Sequence, residues 1–186
     1  KKVERIQKSL KRVSGIICSS NYTANLIDKL NITNIKKLII PPTYSLNKIS
    51  KKKKTSLEKS KKVSLLTICR LEKRKGILPV LRCLSKLNRK KLLKPFQWNI
   101  CGEGIQFEEI RDNIKKLNLS DQVFLIGKIN TSLKQILLES SDVFVMPSYK
   151  VNKSVEGFGI SYVEAAAYKI PSIAGIDGGV TDAVID

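Results

Sequence analysis

The sequence predicts an α/β protein built on a doubly wound, parallel, Rossmann-like sheet. Three observations lead there. From residue 62 onward, short apolar runs alternate with amphipathic stretches, the order of strand, crossover helix and strand. The runs are continuously apolar rather than alternating, as strands covered on both faces require. Several end in Gly or Pro, residues that stop a strand and turn the chain.

The elements follow in order. Residues 1–12 read as a basic helix. "VSGIIC" (13–18) is a short strand, and Ser19 and Ser20 are N-cap residues for a helix to about Leu30. "KLII" (37–40) is a strand stopped by Pro41 and Pro42. "KVSLLTIC", "FQWNIC", "QVFLIG", "DVFVMPS" and "IPSIAG" are the strands of the main sheet. Between them stand helices in "ILPVLRCLSKLNRK", "IQFEEIRDNIKKLNL", "SLKQILLES" and "GISYVEAAAYK", and "GGVTDAVID" opens another. Between the two halves, "SLNKISKKKKTSLEKSKK" is polar and aperiodic, the composition of a linker or exposed excursion. The expected organisation is therefore a short unit at 1–48, a linker at 49–61 and a sheet domain at 62–186. The absence of an initiator Met suggests a piece of a longer chain.

Composition narrows the class. With 42% hydrophobic residues the chain can bury a core. No apolar run approaches the ~20 residues of a membrane helix. The formal charge is +19. A polyanionic partner such as nucleic acid is one reading. The other is composition, because the lysines are scattered over solvated faces with few aromatics between them. A basic nucleic-acid-binding α/β module thus stays as the alternative. Cys18, Cys69, Cys83 and Cys101 have no metal-ligand spacing and there is no His, so no metal is expected. Cys18, Cys69 and Cys101 end apolar runs and read as small buried hydrophobes of a reducing compartment. Five N-x-S/T sequons are then incidental.

In a doubly wound sheet, ligands bind beyond the carboxyl ends of the strands, and that rule selects the loops to read. "CRLEKRKG" places Arg70 and Lys75 across a loop before a helix. Two cations there and the helix's own positive end suit an anion, with two solvated charges as the alternative. "GEG" (Gly102, Glu103, Gly104) and Ile126–Gly127–Lys128 are turns where main chain is open to a ligand, or plain turns. In "EGFGISYVE", Gly157 and Gly159 flank Phe158 and precede a helix, so the amides of Phe158, Gly159 and Ile160 suit an anion. Glu164 lies about a turn and a half into that helix, pointing back toward its start, where a carboxylate suits paired hydroxyls such as a ribose. Glu156, in the loop ahead, suits sugar hydroxyls. A capped helix with a solvated Glu is the alternative.

Taken together, "RLEKRKG", "GEG", "DVFVMPS", "EGFGISYVEAAAYKIPSIA" and the Gly pair at 178–179 resemble the retaining glycosyltransferases of family 4 (group 1), which have the GT-B fold. The resemblance covers residues 62–186, the donor-binding domain, and more weakly the end of the acceptor-side domain before it. It implies transfer of a hexosyl-type group from a nucleotide diphosphate sugar to an acceptor hydroxyl of a glycan or glycolipid, without metal or other cofactor. In that picture Arg70 and Lys75 neutralise the donor diphosphate, Glu156 stands near the donor sugar and Glu164 holds the ribose. The amides of Phe158, Gly159 and Ile160 contact phosphate and sugar. Gly102–Gly104 and Ile126–Lys128 wall the nucleotide. It also implies a cytoplasmic protein, with peripheral contact to an anionic membrane face. A non-catalytic nucleotide-binding relative is the remaining alternative. Four features depart from the family pattern: Cys69 stands where Gly is usual before the Arg, Asp182 where Glu is common, "IPPTYS" replaces the commoner Pro-Asn-Gly turn, and the loop from Tyr149 to Val155 is rather long.

Overall fold

The structure, a computed structural model, describes residues 2–32, 35–45 and 62–185. The expected linker and its Lys51–Lys54 run lie outside the described residues. The first part holds α1 (Lys2–Leu10), β1 (Gly15–Cys18), α2 (Asn21–Asp28) and β2 (Lys36–Ile39). β1 and β2 pair in parallel, from Gly15 opposite Lys36 to Cys18 opposite Ile39. Ser20 caps α2. Its hydroxyl accepts from the Thr23 amide, and the Thr23 hydroxyl accepts from the Ser20 amide, so two orphan donors are satisfied reciprocally.

The second part holds β3 (Val63–Ile68), a 3₁₀ turn (Lys73–Lys75), α3 (Ile77–Arg89), β4 (Phe96–Cys101), α4 (Phe107–Lys116) and β5 (Val123–Gly127). It continues with α5 (Thr131–Ser140), β6 (Val143–Met146), α6 (Ile160–Ala167), β7 (Ser172–Ala174) and α7 (Val180–Ala183). The five strands form one sheet in the order β5-β4-β3-β6-β7, and every pairing is parallel. This is the doubly wound sheet expected from the alternation of runs. The element ends move by a few residues, where caps rather than hydrophobic periodicity decide.

The two faces of the sheet carry separate cores. Phe96, Trp98 and Ile100 of β4 alternate toward Leu81 of α3 and Ile110 and Ile114 of α4. Leu66 of β3 and Phe144 and Met146 of β6 turn the other way, toward Leu138 of α5 and Tyr162 and Ala165 of α6. In the middle of the sheet the indole of Trp98 donates to the Thr67 hydroxyl at 2.9 Å. Thr67 in turn donates to the Val145 carbonyl, so a polar chain crosses β4, β3 and β6. Cys18 and Cys101 are buried as expected; Cys69 is only partly so, and Cys83 is exposed. The difference at Cys69 arises because it lies past the end of β3, where the strand's cover stops.

Strand order reverses at β3. The chain builds outward to β4 and β5, then crosses back to place β6 on the other side of β3. The loops after β3 and β6 part there, which opens the ligand crevice of such sheets.

Candidate functional site

The loop after β3 is set by Gly76. It adopts φ +78, and an added Cβ would overlap the Pro147 carbonyl, so the turn lies hard against the end of β6. The Tyr149 amide donates to the Arg74 carbonyl at 2.8 Å, stitching the two loops together. Within the 3₁₀ turn Lys73 stays exposed, while Arg74 and Lys75 turn toward Glu156. Lys75 is 7% exposed. Its ammonium pairs with Glu156 Oε2 and lies 3.7 Å from the Met146 sulfur.

Arg74, which the sequence reading passes over, is the second cation of the site, its side chain 11% exposed. Its guanidinium reaches Glu156 Oε2 at 2.8 Å and Glu72 at 3.1 Å. Arg70 sits on the same loop, but its side chain is 75% exposed and touches Glu72 at 3.3 Å. The structure therefore strings Arg70, Glu72, Arg74, Glu156 and Lys75 into one chain of charges. It brings Lys75 and Arg74 together on Glu156, rather than Arg70 and Lys75. The local signal for Arg74 is its place in the run Lys73-Arg74-Lys75; the turn geometry chooses which cation points inward.

Both cations occupy the same oxygen of Glu156. Among the described residues, Oε1 has no protein partner and remains an acceptor. Burial alone would raise the Glu156 carboxyl; the hydrogen bonds and charges of Lys75 and Arg74 outweigh it and hold the group below its ordinary 4.5. A depressed carboxyl contributes stability above its unfolded value and loses it as pH falls through the folded one. Thermal unfolding scanned downward in pH should therefore lose stability below about 4.5 through this group. The loss should be shallower in Lys75→Met, and equal slopes in the two proteins would contradict the coupling. Beside the cluster, burial pushes the Cys69 thiol up to about 12, against the pull of Lys75 and Arg74. It is a neutral wall, not a nucleophile.

The glycine loop follows. Gly159 has φ +94 and caps α6, and an added Cβ there would overlap the Tyr162 ring. Phe158 and Gly159 are both buried. Among the described residues no acceptor takes the amides of Phe158 or Gly159. The Ile160 amide opens the helix, where an N–H has no partner within the helix. Glu164 lies in the second turn of α6, its side chain 13% exposed, and holds Lys134 of α5 at 2.6 Å. Lys134 is a further residue the sequence reading misses, since nothing local links it to a carboxylate on another helix.

The two remaining turns are stitched to each other. The Gly102 amide donates to the Gly127 carbonyl at 2.7 Å, and the Leu71 amide to the Glu103 carbonyl at 2.8 Å. Added Cβ atoms at Gly102 and Gly104 would overlap the Cys69 and Leu71 main chain. These glycines let two loops pack; Glu103, Ile126 and Lys128 stand exposed along the rim. Among the described residues no three His, Cys, Asp or Glu side chains gather as a metal site.

The doubly wound parallel sheet has the fold of the corresponding part of solved GT-B glycosyltransferases. The chain belongs to the group 1 glycosyl transferases: that family's pattern matches residues 48–186. A GDP-mannose-dependent α-(1-6)-phosphatidylinositol monomannoside mannosyltransferase of Mycolicibacterium smegmatis is 30% identical over 124 residues, 66% of this chain and 32% of that protein. A 2-deoxystreptamine N-acetyl-D-glucosaminyltransferase of Niallia circulans is 34% identical over 86 residues, 46% of this chain and 21% of that protein. In fold, sucrose-phosphate synthase from Thermosynechococcus elongatus superposes with a TM-score of 0.80 at 21% identity, covering 98% of this chain and 46% of that one. Anabaena HepE, crystallised with UDP and glucose, gives 0.79 at 18% identity, covering 99% and 50%. The chain thus spans about a third or less of these two curated relatives and about half of these two solved structures.

Proposed function

We propose that this chain is the donor-binding part of a retaining glycosyltransferase, which moves a hexosyl-type group from a nucleotide diphosphate sugar to an acceptor hydroxyl on a glycan or lipid-linked glycan. The observation that carries the reading is the Lys75–Glu156–Arg74 cluster at the switch point, next to the unpaired amides of the glycine loop. The chemical problem is departure of a diphosphate from an oxocarbenium-like sugar, and stabilising the leaving charge is the main term. Lys75 and Arg74 supply that charge, with Arg70 at the outer rim. Glu156 Oε1 accepts a sugar hydroxyl. Glu164 exchanges Lys134 for the ribose hydroxyls. The Phe158, Gly159 and Ile160 amides take phosphate and sugar oxygens. The reading uses no metal, since the cations do the metal's electrostatic work. The acceptor hydroxyl attacks the sugar from the face the diphosphate leaves, and the leaving phosphate takes its proton.

The acceptor side of the cleft is supplied by the rest of the protein, so transfer is a property of the whole molecule. A cytoplasmic protein working at an anionic membrane face fits the charge of +19, at about 1 kcal/mol for each Lys or Arg near the surface. The basic nucleic-acid-binding module accounts for the same charge and not for the cluster.

Calorimetric titration with UDP, GDP and ADP and their sugars separates the readings. Saturable binding of one nucleotide, weakened at least about tenfold in Glu164→Ala, supports the transferase; two charge-assisted hydrogen bonds to a ribose are of that size or more. Equal binding of every polyanion, falling steeply with salt, would replace it with the nucleic-acid module.

A further inference from the structure

The glycine loop is held from behind by a part of the chain far away in sequence. Ser20 is fully buried. Besides capping α2, its hydroxyl donates to the Gly157 carbonyl at 2.6 Å. On the next residue, the Asn21 amide and side-chain amide donate to the two carboxylate oxygens of Asp182 at 2.5 and 3.1 Å. Asp182 belongs to α7, so an acid from the sheet domain meets the positive end of α2. The Gly179 amide, just before α7, donates to the Glu156 carbonyl at 2.9 Å. An added Cβ on Gly179 would overlap both the Gly157 carbonyl and the Ser20 hydroxyl.

These contacts fix peptide planes, not only positions. A trans peptide points its C=O and N–H in opposite directions. With the Glu156 and Gly157 carbonyls held toward Gly179 and Ser20, the Gly157 and Phe158 amides are turned the other way. The Phe158 amide is one of those left without an acceptor.

We infer that Ser20 and Asp182 are positioning residues: they latch the N-terminus of α2 onto the Gly157 loop and orient the Phe158 amide toward the ligand. Docking of α2 and binding of nucleotide are then linked, each favouring the other. The ligand in this statement rests on the nucleotide-sugar reading above; the latch itself rests on the contacts alone.

Hydrogen exchange on the whole chain, without ligand and then with UDP, GDP or ADP, tests it. Without ligand, Ser20→Ala should speed exchange of the Gly179 amide about tenfold, the size of one hydrogen bond. Asp182→Ala should do the same at Asn21, with protection restored in Asp182→Glu. Thr23→Ala weakens the same helix cap but keeps the Ser20 donor, and should leave Gly179 within about twofold. A nucleotide that binds should slow exchange at Asn21, which makes no ligand contact, and Ser20→Ala should abolish that slowing. A merely structural role would not produce this response. Equal Gly179 exchange in wild type and Ser20→Ala overturns the latch. So does a nucleotide that binds without slowing Asn21. A chain that binds none of the three overturns the proposed function instead, and the ligand-free exchange at Gly179 then decides the latch by itself.

Discussion

Lys75→Ala is expected to weaken binding of the cognate nucleoside diphosphate at least about a hundredfold while the chain still folds. A cation about 4 Å from a phosphate oxygen contributes about 4 kcal/mol at an effective dielectric of 20. That corresponds to about a thousandfold, and the retained Arg74 offsets part of it. Removing one partner of a buried pair costs about 3–5 kcal/mol when a charge is left uncompensated. Here Arg74 stays on Glu156 at 2.8 Å, so the folding cost is smaller. Calorimetric titration reads the affinity and circular dichroism the fold. Arg70→Ala is the comparison. Its exposed bridge to Glu72 is worth under about 1 kcal/mol to the fold, so any larger loss of nucleotide affinity reports a direct ligand contact. Near-normal affinity in Lys75→Ala with the fold intact would remove the proposed site.

Gly102→Ala is expected to lower stability by more than about 4 kcal/mol. The backbone at Gly102 has φ +133, and the added methyl would overlap the Cys69 carbonyl. Nothing flexible can yield, because the Leu71 and Gly102 amides are engaged on either side with Glu103 and Gly127. Thermal unfolding followed by circular dichroism measures this. A Tm within a few degrees of wild type would mean that the two loops separate easily, and with them the rim of the site.

The sheet was legible because apolar runs and crossover helices carry their own period. Val63–Ile68, Phe96–Cys101 and Val123–Gly127 needed no tertiary information. The carboxyl ends were legible as a location for the same reason. What escaped was the choice among neighbours that only packing makes. Lys73, Arg74 and Lys75 look alike locally; Gly76 against Pro147 decides that Arg74 and Lys75 turn inward while Arg70 remains exposed. Lys134 meets Glu164 only because α5 and α6 lie side by side. Ser20 reads as a helix cap, which it is, yet its second bond reaches a carbonyl 137 residues away. Gly102 and Gly104 read as turns, either open to a ligand or plain. In the structure they are the places where one loop's backbone rests on another's.

The chain contains one tryptophan, and Trp98 is wholly enclosed with its indole N–H bound to Thr67. Its fluorescence should be blue-shifted and should redden only when the domain melts. Tryptophan emission is therefore a clean melting probe for this protein and a poor titration signal, since the single indole sits within the sheet and a nucleotide arrives beyond its end.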